Sequence, residues 1–270
     1  MHNIIFFKKI KSILGNFCKF FIKFFIKYTN KKISIYGPFK LLPDYIFANF
    51  KNWSSSHNDC FEKCIDLSKN KNCFIDIGAH IGLVTLPASF LMKRNSKIIS
   101  FEPSIINYKI LKKHLYLNKE LINSEVVIEN LIISNFSKEN VTFYEDINKS
   151  SGMNSLLNNK KNLYKVKRNQ ISLDDYCLKN NVLPDLIKID VEGNELNVLK
   201  GAIKVIKKYK PTIILSVHPN QLIQFGSSSA SLFKFINFLE YSVKDSNNNI
   251  IKDLNFGEYL LQHNKYHSKN

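Results

Sequence analysis

From Cys73 onward the chain alternates two patterns of apolar positions. Continuous apolar runs, CFIDI (73–77), KIISFE (97–102), VVIENLIIS (126–134), LIKIDV (186–191) and TIILSV (212–217), have the length and evenness of strands buried on both faces. Between them LVTLPASFLMK (83–93), SIINYKILKKHLYLN (104–118) and ELNVLKGAIKVIKKY (195–209) repeat apolar residues at three and four positions, the spacing of helices. VTFYED (141–146) reads as an additional strand and SLFKFINFLEY (231–241) as a further helix. YSVKDSNNNIIKDL (241–254) followed by FGEYLLQHN (256–264) predicts a closing antiparallel pair around an Asn-rich turn. This rhythm predicts an α/β fold, with a mostly parallel sheet covered by helices on both faces.

The first 28 residues, MHNIIFFKKIKSILGNFCKFFIKFFIKY, have a different pattern. Lysines interrupt every stretch approaching the ~20 apolar residues of a spanning helix, and no small-residue cleavage site marks a signal peptide. On a wheel of about 100° per residue, Lys8, Lys9, Ser12, Asn16, Lys19, Lys23 and Lys27 share one arc about 100° wide. Phe, Ile and Leu fill most of the rest. A lysine stripe beside a broad apolar face predicts a helix lying on the inner membrane leaflet, each ammonium contributing roughly 1 kcal/mol on anionic lipid headgroups. Packing on the protein's own body or on a partner subunit is the alternative. Residues 29–72 read as a lead-in: an irregular or short-strand stretch, GPFKLLPDYIFANFKNW (37–53), then one amphipathic helix, DCFEKCIDLSKN (59–70), with no chemistry in either.

Hydrophobic residues make up 44% of the 270 and charged residues 23%, as in folded globular chains. The formal net charge is +17, and residues 1–51 carry ten Lys against Asp44 alone, or +9, about half of the excess. Nucleic acid is not the expected partner. Of 39 basic residues only Arg94 and Arg168 are arginine, and no helix-turn-helix, zinc-finger or RRM signature accompanies the lysines. The five cysteines (Cys18, Cys60, Cys64, Cys73, Cys177) include no C-x-x-C pair and no histidine at zinc spacing. They predict buried free thiols in a reducing, cytoplasmic compartment.

In open α/β sheets ligands bind beyond the carboxyl ends of the strands. Here those ends carry Asp76 with Gly78, His80 and Gly82, then Glu102, Asn130, Asp190 with Glu192 and Gly193, and His218. DIGAHIG (76–82) spaces its glycines G-x-x-x-G, which permits a tight turn and close approach of a ligand, but it is not the dinucleotide G-x-G-x-x-G. Asp76 would repel a pyrophosphate and suits a cationic ligand. Glu102 ends the second strand, where a carboxylate accepts both hydroxyls of an adenosine ribose.

FIDIGAHIGLVTL (74–86), FEP (101–103), ISLDDY (171–176) and LIKIDVEGNELNVLKGA (186–202) followed by PTIILSVHP (211–219) resemble the FkbM-type S-adenosylmethionine-dependent methyltransferases. The resemblance covers residue 73 to about 220. Two positions depart from it: His80 stands where Asn is commoner, and Ser216 where an acid is expected two residues before His218. It implies the class I Rossmann-like methyltransferase fold, with a mostly parallel seven-stranded sheet and an antiparallel C-terminal hairpin. It also implies S-adenosylmethionine as cofactor, with Asp76, Gly78, His80, Gly82, Glu102, Asn130 and Asp190 around it, and methyl transfer to a hydroxyl oxygen. The methyltransferase domain would occupy residues 73–263, after the amphipathic 1–28 and the lead-in 29–72 and before a polar tail, 264–270.

Methyl transfer is an in-line displacement, in which positioning can supply roughly 7–11 kcal/mol and a general base about 10²–10⁴-fold. His218 or Asp190 is expected to be the base, with Glu192 next, because imidazole titrates near working pH whereas a carboxylate must be raised by burial. A core-edge His218 bonded to a carbonyl is the alternative. Glu195 reads as an acid favouring a helix N-terminus, and Asp174 and Asp175 as caps of a short helix. Asp190 and Glu192 could hold Mg²⁺, but two carboxylates fall short of an octahedral set, and no metal is assigned. SGMNSL (151–156) is an acceptor-side loop or an ordinary surface loop. The expectation is a cytoplasmic O-methyltransferase, peripheral on the inner membrane face, acting on a carbohydrate or lipid-linked glycan. A nicotinamide-dependent oxidoreductase and a non-catalytic membrane- or partner-binding module are the competing readings.

Overall fold

The computed structural model describes residues 25–53, 58–152, 154–157 and 163–264. Nearly all of the amphipathic start, Cys18 and most of the polar tail lie outside them. The lead-in forms a hairpin, β1 (Thr29–Ile33) and β2 (Tyr36–Leu41), and then α1 (Phe61–Ser68). The chain continues through β3 (Cys73–Ile77), α2 (Thr85–Leu91), β4 (Lys97–Phe101), α3 (Ile105–Leu117), β5 (Glu125–Glu129), β6 (Ile132–Ser134), β7 (Lys138–Glu145) and β8 (Tyr164–Ser172). It then runs α4 (Leu173–Lys179), β9 (Leu186–Ile189), α5 (Glu195–Lys200), α6 (Ile203–Tyr209), β10 (Thr212–Val217), α7 (Pro219–Gln224), α8 (Ser229–Phe238), β11 (Tyr241–Lys244) and β12 (Gly257–His263).

Seven strands form one sheet in the order β11-β12-β10-β9-β3-β4-β5. The five from β10 to β5 are mutually parallel, and β12 runs antiparallel to both β10 and β11. Strand order reverses between β3 and β9, the place where such sheets open a crevice. The alternation of side chains divides the core. Ile75, Ile99, Ile187 and Leu215 face one way, toward the helices α4 to α6 and α8. Phe74, Ile98, Leu186 and Ile214 face the other, toward the lead-in, α1 and α2. Cys60, Cys64, Cys73 and Cys177 are all buried and free.

Three expected elements differ. The run 126–134 is two strands in two sheets: β5 edges the main sheet, and β6 joins a three-stranded sheet ordered β6-β8-β7. The chain turns at Asn130, whose amide donates to the carbonyls of Glu102 and Pro103 at 2.8 and 2.9 Å. The single helix expected over 195–209 breaks into α5 and α6 at Gly201. Any Cβ there would lie 2.0 Å from the Ser134 carbonyl, and the Gly201 carbonyl accepts the Asp174 amide at 2.8 Å. Asp174 in turn caps α6, accepting from the Lys204 and Val205 amides at 3.0 and 2.8 Å, while Ser172 caps α4. The strand expected at 141–146 extends over 138–145 and pairs with β8, whose alternating polar composition hides it in the sequence.

The small sheet is tied to the end of β4 by a buried ion pair. Glu145 pairs with Arg168 and accepts the Ile105 amide at 3.0 Å. Arg168 also donates to the carbonyls of Pro103 and Lys167 at 2.7 and 2.8 Å.

Candidate active site

The carboxyl ends of β3, β4, β9 and β10 surround a cavity of about 340 Å³. Other segments close it, among them Trp53, Asn58 and Phe61 of the lead-in, Leu131 to Ile133 with Phe143 at the small sheet, Ser151 and Gly152 with Asn154 to Leu156, and Phe256 with Gly257 at the start of β12. The lead-in, in which the sequence shows no chemistry, is thus a wall of the cavity.

At the β3 end the wall is a backbone turn. Gly78 and Gly82 have φ of +85° and +92°. A Cβ on Gly78 would stand 1.8 Å from the Asp190 carbonyl, and one on Gly82 would stand 2.5 Å from Leu111. The amides of Gly78 and Ala79 donate to the Phe101 carbonyl at 2.9 and 3.0 Å, fixing this turn to β4. Glu102 is 5% exposed and accepts the amides of His80 and Ser104 at 2.8 and 2.9 Å. Burial raises its carboxyl to about 7, against the pull of those amides. The Asn107 side-chain amide also donates to Oε1, at 3.4 Å, so it is Oε2 that keeps a lone pair for a further donor. His80 meets Ser150 Oγ through Nε2 at 3.2 Å, and burial lowers its imidazole to about 4, so it is neutral.

Asp76, Gly78, His80, Glu102 and Asp190 all line the cavity; Gly82 and Asn130 do not. Gly82 lets the turn pack on α3, and Asn130 spends its amide on two carbonyls, so both shape the cavity from behind. Asp76 is completely buried. Its Oδ2 accepts from Thr85 Oγ1 at 2.6 Å, and its Oδ1 lies 3.9 Å from Lys188 Nζ without a hydrogen bond. Burial raises its carboxyl, with Lys188 opposing.

At the β9 and β10 ends the wall is charged. Lys188, 2% exposed, donates to Asp190 Oδ2 at 3.1 Å. Burial would raise the Asp190 carboxyl, but Lys188 and His218 outweigh it and hold Asp190 below the usual carboxylate range. Glu192 is raised by burial. His218 Nδ1 lies 2.7 Å from Glu195 Oε1, which also accepts the Gly193 amide at 2.9 Å. Its Nε2 faces Asp190 Oδ1 at 3.8 Å and Glu192 Oε1 at 3.7 Å. Burial alone would lower the imidazole, yet the Glu195 hydrogen bond and the charges of Asp190 and Glu192 raise it to about 9. Glu195 is therefore more than a helix-terminal acid. It is fully buried and orients His218, which is not the carbonyl-bonded core-edge histidine of the alternative reading.

The Methyltransferase FkbM domain matches residues 76–243, more than half of the chain. The chain belongs to the FkbM methyltransferase family. S-adenosylmethionine, the methyl donor that membership implies, is its cofactor, and the nicotinamide reading is set aside. Among solved structures the FkbM chain is similar to the methyltransferase FkbM from Methylobacillus flagellatus, at 18% identity over 71% of its length, with a TM-score of 0.46. It spans 43% of that protein. It is also similar to the O-methyltransferase from Bacillus cereus in complex with SAH, at 13% identity over 77% of its length and 80% of the other, with a TM-score of 0.44. At these scores neither likeness adds to the family assignment. Among curated proteins none matches the chain.

The residues of this FkbM chain fit such a donor. Asp76, Asp190, Glu192 and Glu195 face two cations, Lys188 and the raised His218, so the charged end has room for a positive ligand. Asp190, Glu192 and His218 also bring one ligand atom each within 4.8 Å of one another, the only such trio among the described residues. A divalent cation would have to displace the His218 proton there and share Asp190 with Lys188. Sequence reasoning missed Lys188, Glu195 and the lead-in wall. Lys188 had a signal, a lone cation inside an apolar strand.

Proposed function

We propose that the protein transfers the methyl group of S-adenosylmethionine to a hydroxyl oxygen of a carbohydrate or lipid-linked glycan at the inner face of the membrane. The observation that carries the O-methylation reading is the Glu195–His218 pair, with the free ring nitrogen aimed between Asp190 and Glu192 into the cavity. The cofactor supplies an electrophilic methyl carbon on a sulfonium. Glu102 would accept the ribose hydroxyls, the Gly78 turn would let the donor approach the backbone, and Asp190 would stand beside the cationic end. His218, its imidazolium disfavoured by a second cation alongside, would release the Nε2 proton to solvent and could then accept the hydroxyl proton of the acceptor at that atom. Glu195 keeps Nδ1–H in place and stabilises the imidazolium that re-forms. Asp190 and Glu192 can orient hydroxyls by accepting from them. Trp53, Phe61 and Phe256 offer apolar faces, and Asn58, Asn154 and Ser155 polar ones, a mixture suited to a sugar ring.

The membrane part rests on residues 1–28. Among the described residues no helix is long and apolar enough to cross a bilayer. Ile35, 66% exposed at the tip of the β1–β2 hairpin, and the exposed Lys32 beside it are consistent with a surface that meets headgroups. The decisive experiment incubates the protein with methyl-labelled donor and fractionated envelope glycans. Label in a glycan fraction, retained through mild alkali and protease treatment and recovered as an O-methyl sugar after acid hydrolysis, is expected. Label only in protein, or on nitrogen, would sink the acceptor assignment. Flotation with anionic vesicles, with and without residues 1–28, tests the membrane part; equal flotation of both forms removes it.

A further inference from the structure

The family resemblance leads to the expectation of an acid two residues before His218, and this chain has Ser216 there. A carboxyl reaches the same place from another strand. Ser216 of β10 and Glu258 of β12 are directly opposed across the antiparallel ladder, and Ser216 Oγ donates to Glu258 Oε1 at 2.8 Å. Glu258 is 4% exposed, and its other oxygen accepts the Cys60 amide at 3.0 Å. Asp76 and Lys188 are likewise opposed on β3 and β9. Lys188 is opposed on β10 to Ile214, so the Ser216–Glu258 pair lies two residues further along; the two pairs form a staggered polar row across four neighbouring strands, on the face that α1 covers. Lys188 is the one cation in the row, its Nζ 5.0 Å from the centre of the Phe61 ring.

We infer that Glu258 is a positioning residue for donor recognition: a carboxyl transposed from β10 to β12 that joins Asp76 and Asp190 around Lys188. Through them it biases the cavity toward a cationic sulfonium over the neutral thioether that remains after transfer. This rests on the donor reading of the cavity given above. The groups around Glu258 are Lys188 and Asp190 from the β9 side, Ser216 from β10, and Cys60 and Cys64 from the α1 side; Asp76 of β3 lies beyond them, beside Lys188 and Cys64. Burial raises the Glu258 carboxyl to about 8, with Lys188 opposing. A positive charge entering the cavity favours its ionised form, whereas a neutral thioether exerts no such pull.

Calorimetric titration above about pH 8 with S-adenosylmethionine and, separately, S-adenosylhomocysteine tests this. Glu258→Gln is expected to weaken the sulfonium about tenfold, the order of one lost charge acting in a partly screened site, while the thioether changes little. The exchange Ser216→Glu with Glu258→Ser returns the carboxyl to β10 and is expected to restore the ratio of the two affinities. Equal losses for both ligands, an unchanged ratio in Glu258→Gln, or an exchange variant that folds without restoring the ratio overturns the inference. If Glu258→Gln does not fold, Ser216→Gln with Glu258→Ser, which keeps a polar pair on β10 and β12 without the charge, takes its place and should show the same selective loss for the sulfonium. A native protein that binds neither nucleoside would instead overturn the donor reading.

Discussion

Where β3 and β4 end, the cavity wall is mostly backbone; where β9 and β10 end, it is mostly ionised side chains. The first region is fixed by two glycines in left-handed conformations, by amides anchored on Phe101, and by a carboxylate that accepts two main-chain N–H groups and the Asn107 amide. Its geometry depends little on what occupies the cavity. The second is a balance among Lys188, Asp190, Glu192, Glu195 and His218, each biasing the charge of the next. Its state depends on pH and on the charge of whatever enters. Rigid recognition and adjustable chemistry thus occupy opposite ends of one crevice, touching where Gly78 lies against the Asp190 carbonyl.

The sharpest way to break this division is at that contact. Gly78→Ala places a methyl inside the Asp190 carbonyl at a φ that L-residues disfavour, and should cost roughly 3 kcal/mol or more of stability, read by chemical denaturation. His218→Gln should lower turnover by about 10²–10⁴-fold while calorimetric donor affinity is kept or rises, because a cation beside the sulfonium is removed. Equal losses in both would show that the two ends are not separable. Glu102→Gln should do the reverse, weakening both nucleosides by about 10–100-fold through loss of a charged acceptor. Because the Glu102 carboxyl titrates near 7, native donor affinity should fall as pH drops below that value, and the variant should lose this dependence. The smallest effect is a displacement. Turnover efficiency should rise with pH through a midpoint near 9, reaching its plateau above that value, as His218 gives up its proton. Glu195→Gln removes an anion that favours the imidazolium, so its profile should move to lower pH; an unmoved profile would detach Glu195 from His218.

The same division explains what could be read from the sequence. A glycine turn after a buried strand is a local pattern, so Gly78, Gly82 and Glu102 are visible together, as are the parallel strands that carry them. The charged end is assembled from β9, α5, β10 and β12, residues up to 70 positions apart, and no local rule pairs His218 with Glu195 or Ser216 with Glu258. Glu195 also satisfies the ordinary preference for an acid in a first helical turn, which hides its second role. The split of 126–134 was invisible because Glu129 and Asn130 interrupt an otherwise apolar run without a glycine or proline.

In a chain that writes 37 of its 39 basic residues as lysine, Arg168 is one of two arginines, and its guanidinium spans the Glu145 carboxylate and two carbonyls. A lysine there could place one ammonium against one of those partners and would leave the others without a donor. The preference of this chain for lysine therefore meets a geometric limit at this position. Arg168→Lys should loosen the small sheet from the β4 end even though the formal charge of the protein is unchanged.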